Sequence, residues 1–103
     1  MKIDTTKSLK TFDGKKEIKE NGVVVRVRDV LLTALSGCKD KMGLNKVTRL
    51  FQLGVLISTL DEVEISSEDV SLLKTCVLSV FSGCLVSGQV CELLEGNDPF
   101  VIE

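Results

Sequence analysis

The spacing of apolar residues changes once along this chain, near residue 28, and this change limits the possible folds more than any other feature. Up to Arg28 the chain has two turn-forming pairs and the alternation typical of β-strands. From Asp29 onward, apolar residues recur at helical spacing. At 103 residues the chain has the usual size of one domain. The sequence predicts one α+β domain over residues 1–103, mostly helical, with a β-hairpin (or three-strand meander) over 9–28, about four short helices over 29–96 and a tail over 97–103.

Two glycine-containing pairs mark the turns of the β region. Asp13-Gly14 and Asn21-Gly22 are pairs favoured in the type I′ turn, whose two central residues both need a positive φ angle. After the second pair, residues 23–28 end in the alternation of a half-buried strand. The sequence therefore predicts a hairpin around Asn21-Gly22, and residues 8–12 would supply the third strand of a meander.

Four helices and one short strand are expected after the hairpin. The third helix has the clearest start, because Ser66 is a good N-cap and Asp69 completes a weakened capping box, with Ser67 as the alternative cap. Gly54 costs about 1 kcal/mol of helix propensity, so we expect it to mark a close approach of two helices. Leu60 to Ile65 predicts a short edge strand or extended bridge. The predicted helices cover residues 29–35, 44–58, 68–81 and 85–95.

The composition excludes several kinds of active site. The chain has no histidine, which removes Ser-His-Asp triads, Cys-His pairs and every histidine-containing metal site. Pairs of carboxylates occur, but no pattern places two of them in a cleft. The sequence has no phosphate-binding loop, dinucleotide fingerprint or calcium-loop spacing. We therefore expect a protein that is not an enzyme and binds no cofactor and no metal.

The cysteines and the N-terminal residues predict a compartment. Cys38, Cys76, Cys84 and Cys91 include no Cys-x-x-Cys pair, so neither a zinc knuckle nor a thioredoxin-type site is indicated. Residues 1–13 are polar, unlike a secretory signal, and no apolar run approaches the ~20 residues of a membrane span. We expect a reducing cytoplasm, no membrane contact, and four thiols that act as small buried hydrophobes.

Charge is distributed unevenly along the chain. Residues 1–28 carry eight basic and four acidic side chains, whereas the remainder carries five and eleven. A basic face of this kind can bind nucleic acid, but lysines also keep short strands apart, and the pI of about 5.2 is low for phosphate binding. A nucleic-acid-binding accessory protein therefore remains the alternative function. Its candidate binding residues are Lys15, Lys16, Lys19, Arg26 and Arg28.

The function favoured by the sequence depends on protein contacts. Phe100, Val101 and Ile102 form an apolar end to the tail, which either docks on a partner or covers the chain's own core. The edge of the hairpin could also pair with another chain. The second and third helices offer more apolar surface than so small a domain can easily cover. We therefore expect a protein partner and a homo-oligomer.

Several segments resemble a family of small proteins encoded by tailed bacteriophages and prophages. The resemblance spans roughly residues 9–95. It implies a phage or prophage origin and a place in the bacterial host cytoplasm or the virion. It brings no biochemical activity and no functional residue, and it leaves open an assembly component and an inhibitor of host machinery. The matching segments are Val27 to Leu35, Lys46 to Arg49, Glu64 to Lys74 and Val86 to Glu95.

Overall fold

The computed structural model describes residues 2–38, 43–81, 83–97 and 99–100, and it has the α+β arrangement that the sequence predicts. Short strands and isolated bridges alternate with turns over residues 2–26, and four helices follow with one further strand between the second and the third. The elements are β1 (Lys2–Asp4), β2 (Lys19–Glu20), β3 (Val23–Val24), α1 (Val27–Gly37), α2 (Leu44–Thr59), β4 (Glu62–Glu64), α3 (Ser67–Val80) and α4 (Cys84–Leu94).

Strands β2 and β3 form the predicted hairpin. Lys19 faces Val24 across it, and Asn21 and Gly22 have φ angles of 52° and 81°, as a type I′ turn requires. The same expectation for Asp13-Gly14 is wrong, because only Gly14 there has a positive φ. The carboxylate of Asp13 instead accepts hydrogen bonds from the Lys15 N–H (3.0 Å) and the Thr11 hydroxyl (2.7 Å), which holds a wider turn.

The three β segments of the N-terminal region close on one another. Leu9 N–H donates to the Val25 carbonyl, Val25 N–H to the Ile18 carbonyl, and Ile18 N–H to the Leu9 carbonyl, at 2.8–2.9 Å. The three-strand meander is thus a closed triangle of backbone hydrogen bonds. Because these groups are already used, they cannot pair with a strand from another chain.

The side chain of Gln89 joins this meander to α4. Its Oε1 accepts a hydrogen bond from the Lys10 N–H (2.8 Å), and its Nε2 donates to the Lys10 carbonyl (2.6 Å) and to the Leu85 carbonyl (2.9 Å). The amide therefore binds the backbone of Lys10 as a neighbouring strand would, and it covers that edge of the meander.

A second small sheet joins the start of the chain to the segment between α2 and α3. The strand expected between residues 60 and 65 is β4, and it pairs antiparallel with β1, so that Ile3 lies opposite Val63. Both of these side chains are buried. Strand β1 was not predicted from the sequence.

The helices enclose one hydrophobic core. Both α1 and α3 pack against each of the other helices, so they form the centre of the bundle. Cys76 is buried as expected, but Cys84 is exposed at the start of α4, so the expectation that every cysteine is buried is wrong. Ser82, which falls between the predicted helices 68–81 and 85–95, lies outside the described residues. The largest fully buried side chains include Leu9, Leu31, Leu53, Ile57, Leu73, Val77, Val90 and Leu94.

Candidate protein-binding face

Helix α2 carries apolar side chains on two nearly opposite sides. Leu53 and Ile57 point into the core and are fully buried. Phe51 is only two residues from Leu53, which places it about 200° away around the helix. It belongs to a row of exposed apolar residues spaced three or four apart, which we name the outer stripe: Leu44, Val47, Phe51 and Val55, exposed by 81, 52, 73 and 46%.

The outer stripe borders an apolar groove between α1 and α2. The groove has a volume of about 530 Å³, and Leu32 and Leu35 of α1 form its far wall. On α2 it is lined by Leu50, the outer-stripe residues 47, 51 and 55, and Gly54. None of the described residues that line it is charged; its polar lining comes from Ser36, Cys38 and Ser58. A protein surface, rather than a charged ligand, suits such a lining.

Gly54 leaves the groove open. A Cβ atom built at this position would lie 3.5 Å from Leu35 Cδ1, which is an ordinary van der Waals contact. The expectation that Gly54 marks a close approach of two helices is therefore wrong, because the two helices leave room for a side chain here. The missing side chain instead deepens the groove beside Phe51.

An ion pair on the core side fixes the position of α2. Arg49 Nε and Nη2 donate to the two carboxylate oxygens of Asp69 at 2.9 and 2.7 Å. Asp69 also completes the predicted capping box: its carboxylate accepts from the Ser66 N–H, and its own N–H donates to the Ser66 hydroxyl. The hydrogen bonds from Arg49 are the main reason that the pKa of the buried Asp69 falls from 3.8 to about 2. The outer stripe is thus presented on a firmly held helix.

The basic candidate residues do not form one free surface. Lys15, Lys16 and Lys19 are exposed in the meander, and Arg26, also exposed, donates its backbone N–H to Asp29 at the start of α1. Arg28 has a structural role. Its guanidinium donates to the carbonyls of Ile57 (2.9 Å) and Leu60 (3.0 Å), to the hydroxyl of Thr5 (3.1 Å) and to the carboxylate of Asp61 (3.1 Å).

The tail candidates are only partly described. Phe100 is half-buried against the turn at Gly14, where a Cβ atom would lie 3.2 Å from Phe100 Cδ1. Val101 and Ile102 lie outside the described residues. The structure therefore places the first of the three tail residues on its own domain.

The sequence predicts an apolar stripe along the second helix but not its division into a core side and an outer side. Val47, Leu50, Phe51, Val55 and Ile57 all belong to one apolar pattern there, with polar residues at positions 45, 46, 49 and 52 on the other side. At 100° per residue these positions lie on one continuous arc of about 160°, so spacing alone does not show where the covered part ends. Other exposed apolar side chains, such as Phe12 and Leu78, lie outside the stripe and its groove.

The described part of the chain lacks a membrane-spanning helix and a metal-holding cluster. No helix there combines the length and apolar character needed to traverse a bilayer. The same residues contain no group of three or more cysteine or carboxylate side chains that could hold a metal ion.

Comparison of the whole chain with protein-family models, with curated proteins and with solved structures found no match.

Proposed function

We propose that this chain is a non-catalytic accessory or assembly protein that acts through protein contacts and associates with further copies of itself through the outer stripe of α2. The observation that carries the proposal is the exposure of four apolar side chains in one row beside an uncharged groove. A contiguous apolar surface of this kind is typical of a protein–protein interface.

The strength of such a contact can be estimated from the surface it would bury. Fully burying a Val, Leu or Phe side chain contributes about 1.5–3 kcal/mol. With half to four-fifths of each residue exposed, the outer stripe offers on the order of 5 kcal/mol per copy. Two copies then gain on the order of 10 kcal/mol, against an association cost of roughly 4–15 kcal/mol. At the low end of that cost the net gain is about 6 kcal/mol, so we expect weak, reversible association, with a dissociation constant on the order of 50 µM or above.

The resemblance to small proteins of tailed bacteriophages supports the biological part of the proposal. The resemblance implies that the protein acts in the cytoplasm of an infected bacterium or in the virion, and self-association suits an assembly component better than an inhibitor that occupies one host protein. A pull-down from infected cells would identify any further partner.

Phe12 and Phe51 provide a matched test. Both are phenylalanines exposed by 73%, but only Phe51 belongs to the outer stripe. Light scattering over a concentration series should show the parent and Phe12→Ser associating alike, and Phe51→Ser shifted to monomer. Association should persist at about 1 M salt, where the screening length falls to ~3 Å and contacts between charges weaken. A parent that is monomeric throughout, or equal effects of the two variants, would refute the proposal.

A further inference from the structure

We propose that the partner is one second copy, whose α2 runs antiparallel to the first across a two-fold axis that passes beside Phe51. This inference rests on the proposed function and adds the geometry of the pair. In a two-fold dimer the same surface of each copy meets itself, so its pattern must be compatible with its own rotated image.

The outer stripe meets this requirement. In an antiparallel helix pair centred on residue 51, facing positions have numbers that lie equally far on either side of 51. Phe51 then faces its own copy and Val47 faces Val55. Leu44, at one end of the row, faces Ser58 in the groove at the other end. The midpoint of α2, which spans residues 44 to 59, also lies beside Phe51.

The sizes of the side chains favour antiparallel over parallel pairing. The N-terminal half of the face is bulky, with Leu44 and Val47, whereas the C-terminal half contains Gly54 and Ser58. An antiparallel pair places the bulky Leu44 opposite the small Ser58 at each end, which favours close packing. A parallel pair would place Gly54 and Ser58 opposite themselves and leave the groove poorly filled.

The face also has enough room for a stable pair. A specific interface covers about 800 Å² on each partner, which is about an eighth of this chain's surface of 6628 Å². Helix α2 is about 24 Å long at 1.5 Å per residue, and the wall of α1 widens the face on one side. Exposed Thr48 and Gln52 supply a polar rim next to the stripe. The stripe itself has no charge to desolvate, since Arg49 is bound to Asp69 on the other side of α2.

Charges introduced at Val47 and Val55 distinguish the two orientations. We expect Val47→Lys alone and Val55→Glu alone each to weaken the dimer at least tenfold, because each places an unpaired charge against a valine. At low salt, the double variant Val47→Lys/Val55→Glu should regain at least tenfold in dimer affinity relative to Val47→Lys/Val55→Lys. The reason is that lysine then faces glutamate at both ends of the antiparallel pair. This recovery should shrink at about 1 M salt. A parallel pair would give like charges opposite each other in both double variants and no recovery.

Sedimentation equilibrium of the full chain would measure these constants, with circular dichroism as the check that each variant keeps its helices. Positions 47 and 55 are about 12 Å apart along one helix, so their charges interact little within a copy. An associating parent whose Lys/Glu variant is as weak as its Lys/Lys variant overturns the antiparallel pair and leaves self-association standing. A parent that stays monomeric overturns both.

Discussion

At the scale of single residues, Asp69 performs two tasks, of which the sequence predicted one. The Ser66–Asp69 capping box follows from the local sequence alone. The bidentate bond from Arg49 joins residues twenty positions apart, so no local pattern could show it. The result is a buried carboxylate whose charge is fully compensated, in the geometry that makes such pairs strong.

The lowered pKa of Asp69 predicts how stability depends on pH. Because the pKa is about 2 in the folded chain and 3.8 as the ordinary value, the carboxylate stabilises the fold above about pH 4. This contribution, about 2 kcal/mol, disappears as the pH falls through 2. Urea unfolding at about pH 5 and about pH 2 should show a larger loss of stability in the parent than in Asp69→Asn, by about that amount. The same pH dependence in both proteins would contradict this assignment.

At the scale of elements, the sequence predicted what local spacing determines. All four helices lie within two residues of the predicted bounds, because apolar periodicity and caps are properties of neighbouring residues. Strand β4 was found in the same way. Strand β1 was missed because Lys2 to Asp4 becomes a strand only by pairing with β4. The outer stripe was found as part of an apolar pattern on α2, but spacing alone does not state which part of such a pattern the rest of the fold covers.

Alanine substitution at Gly54 tests how much room the groove leaves between α1 and α2, and the same substitution at Gly88, outside the groove, is the control. Both lie within helices, so replacing either by alanine should stabilise its helix by about 0.5–1 kcal/mol. An added Cβ at Gly54 meets Leu35 at 3.5 Å, and at Gly88 the structure places nothing within 4 Å. We therefore expect Gly54→Ala and Gly88→Ala to raise the free energy of unfolding, measured in urea, by similar amounts. A destabilised Gly54→Ala beside a stabilised Gly88→Ala would show that α1 and α2 lie closer together than described.

At the scale of the whole molecule, α3 connects the parts of the core. It contacts α1, α2 and α4, and its side chains at Leu73, Cys76 and Val77 are completely buried. The next residue, Leu78, is 61% exposed, so two neighbouring positions differ fully in their surroundings.

Substitution of these two neighbours tests the central place of α3. Val77→Asp would bury an uncompensated charge, which costs several kcal/mol against a total stability of ~5–15 kcal/mol. We expect this variant to be insoluble or to lack a cooperative thermal transition. Leu78→Asp, at the exposed position, should fold and melt within a few degrees of the parent. Similar melting temperatures for both would mean that α3 does not lie at the centre of the core.

The pairing of β1 with β4 also sets the earliest moment at which this sheet can form during synthesis. Ile3 leaves the ribosome sixty residues before its partner Val63. At roughly 5–20 residues per second, that interval lasts about 3–12 s, whereas helices form within microseconds. Throughout this interval the first strand remains unpaired, with an apolar side chain that later becomes buried. Translation speed, rather than the intrinsic rate of folding, therefore sets the earliest moment at which β1 can join β4.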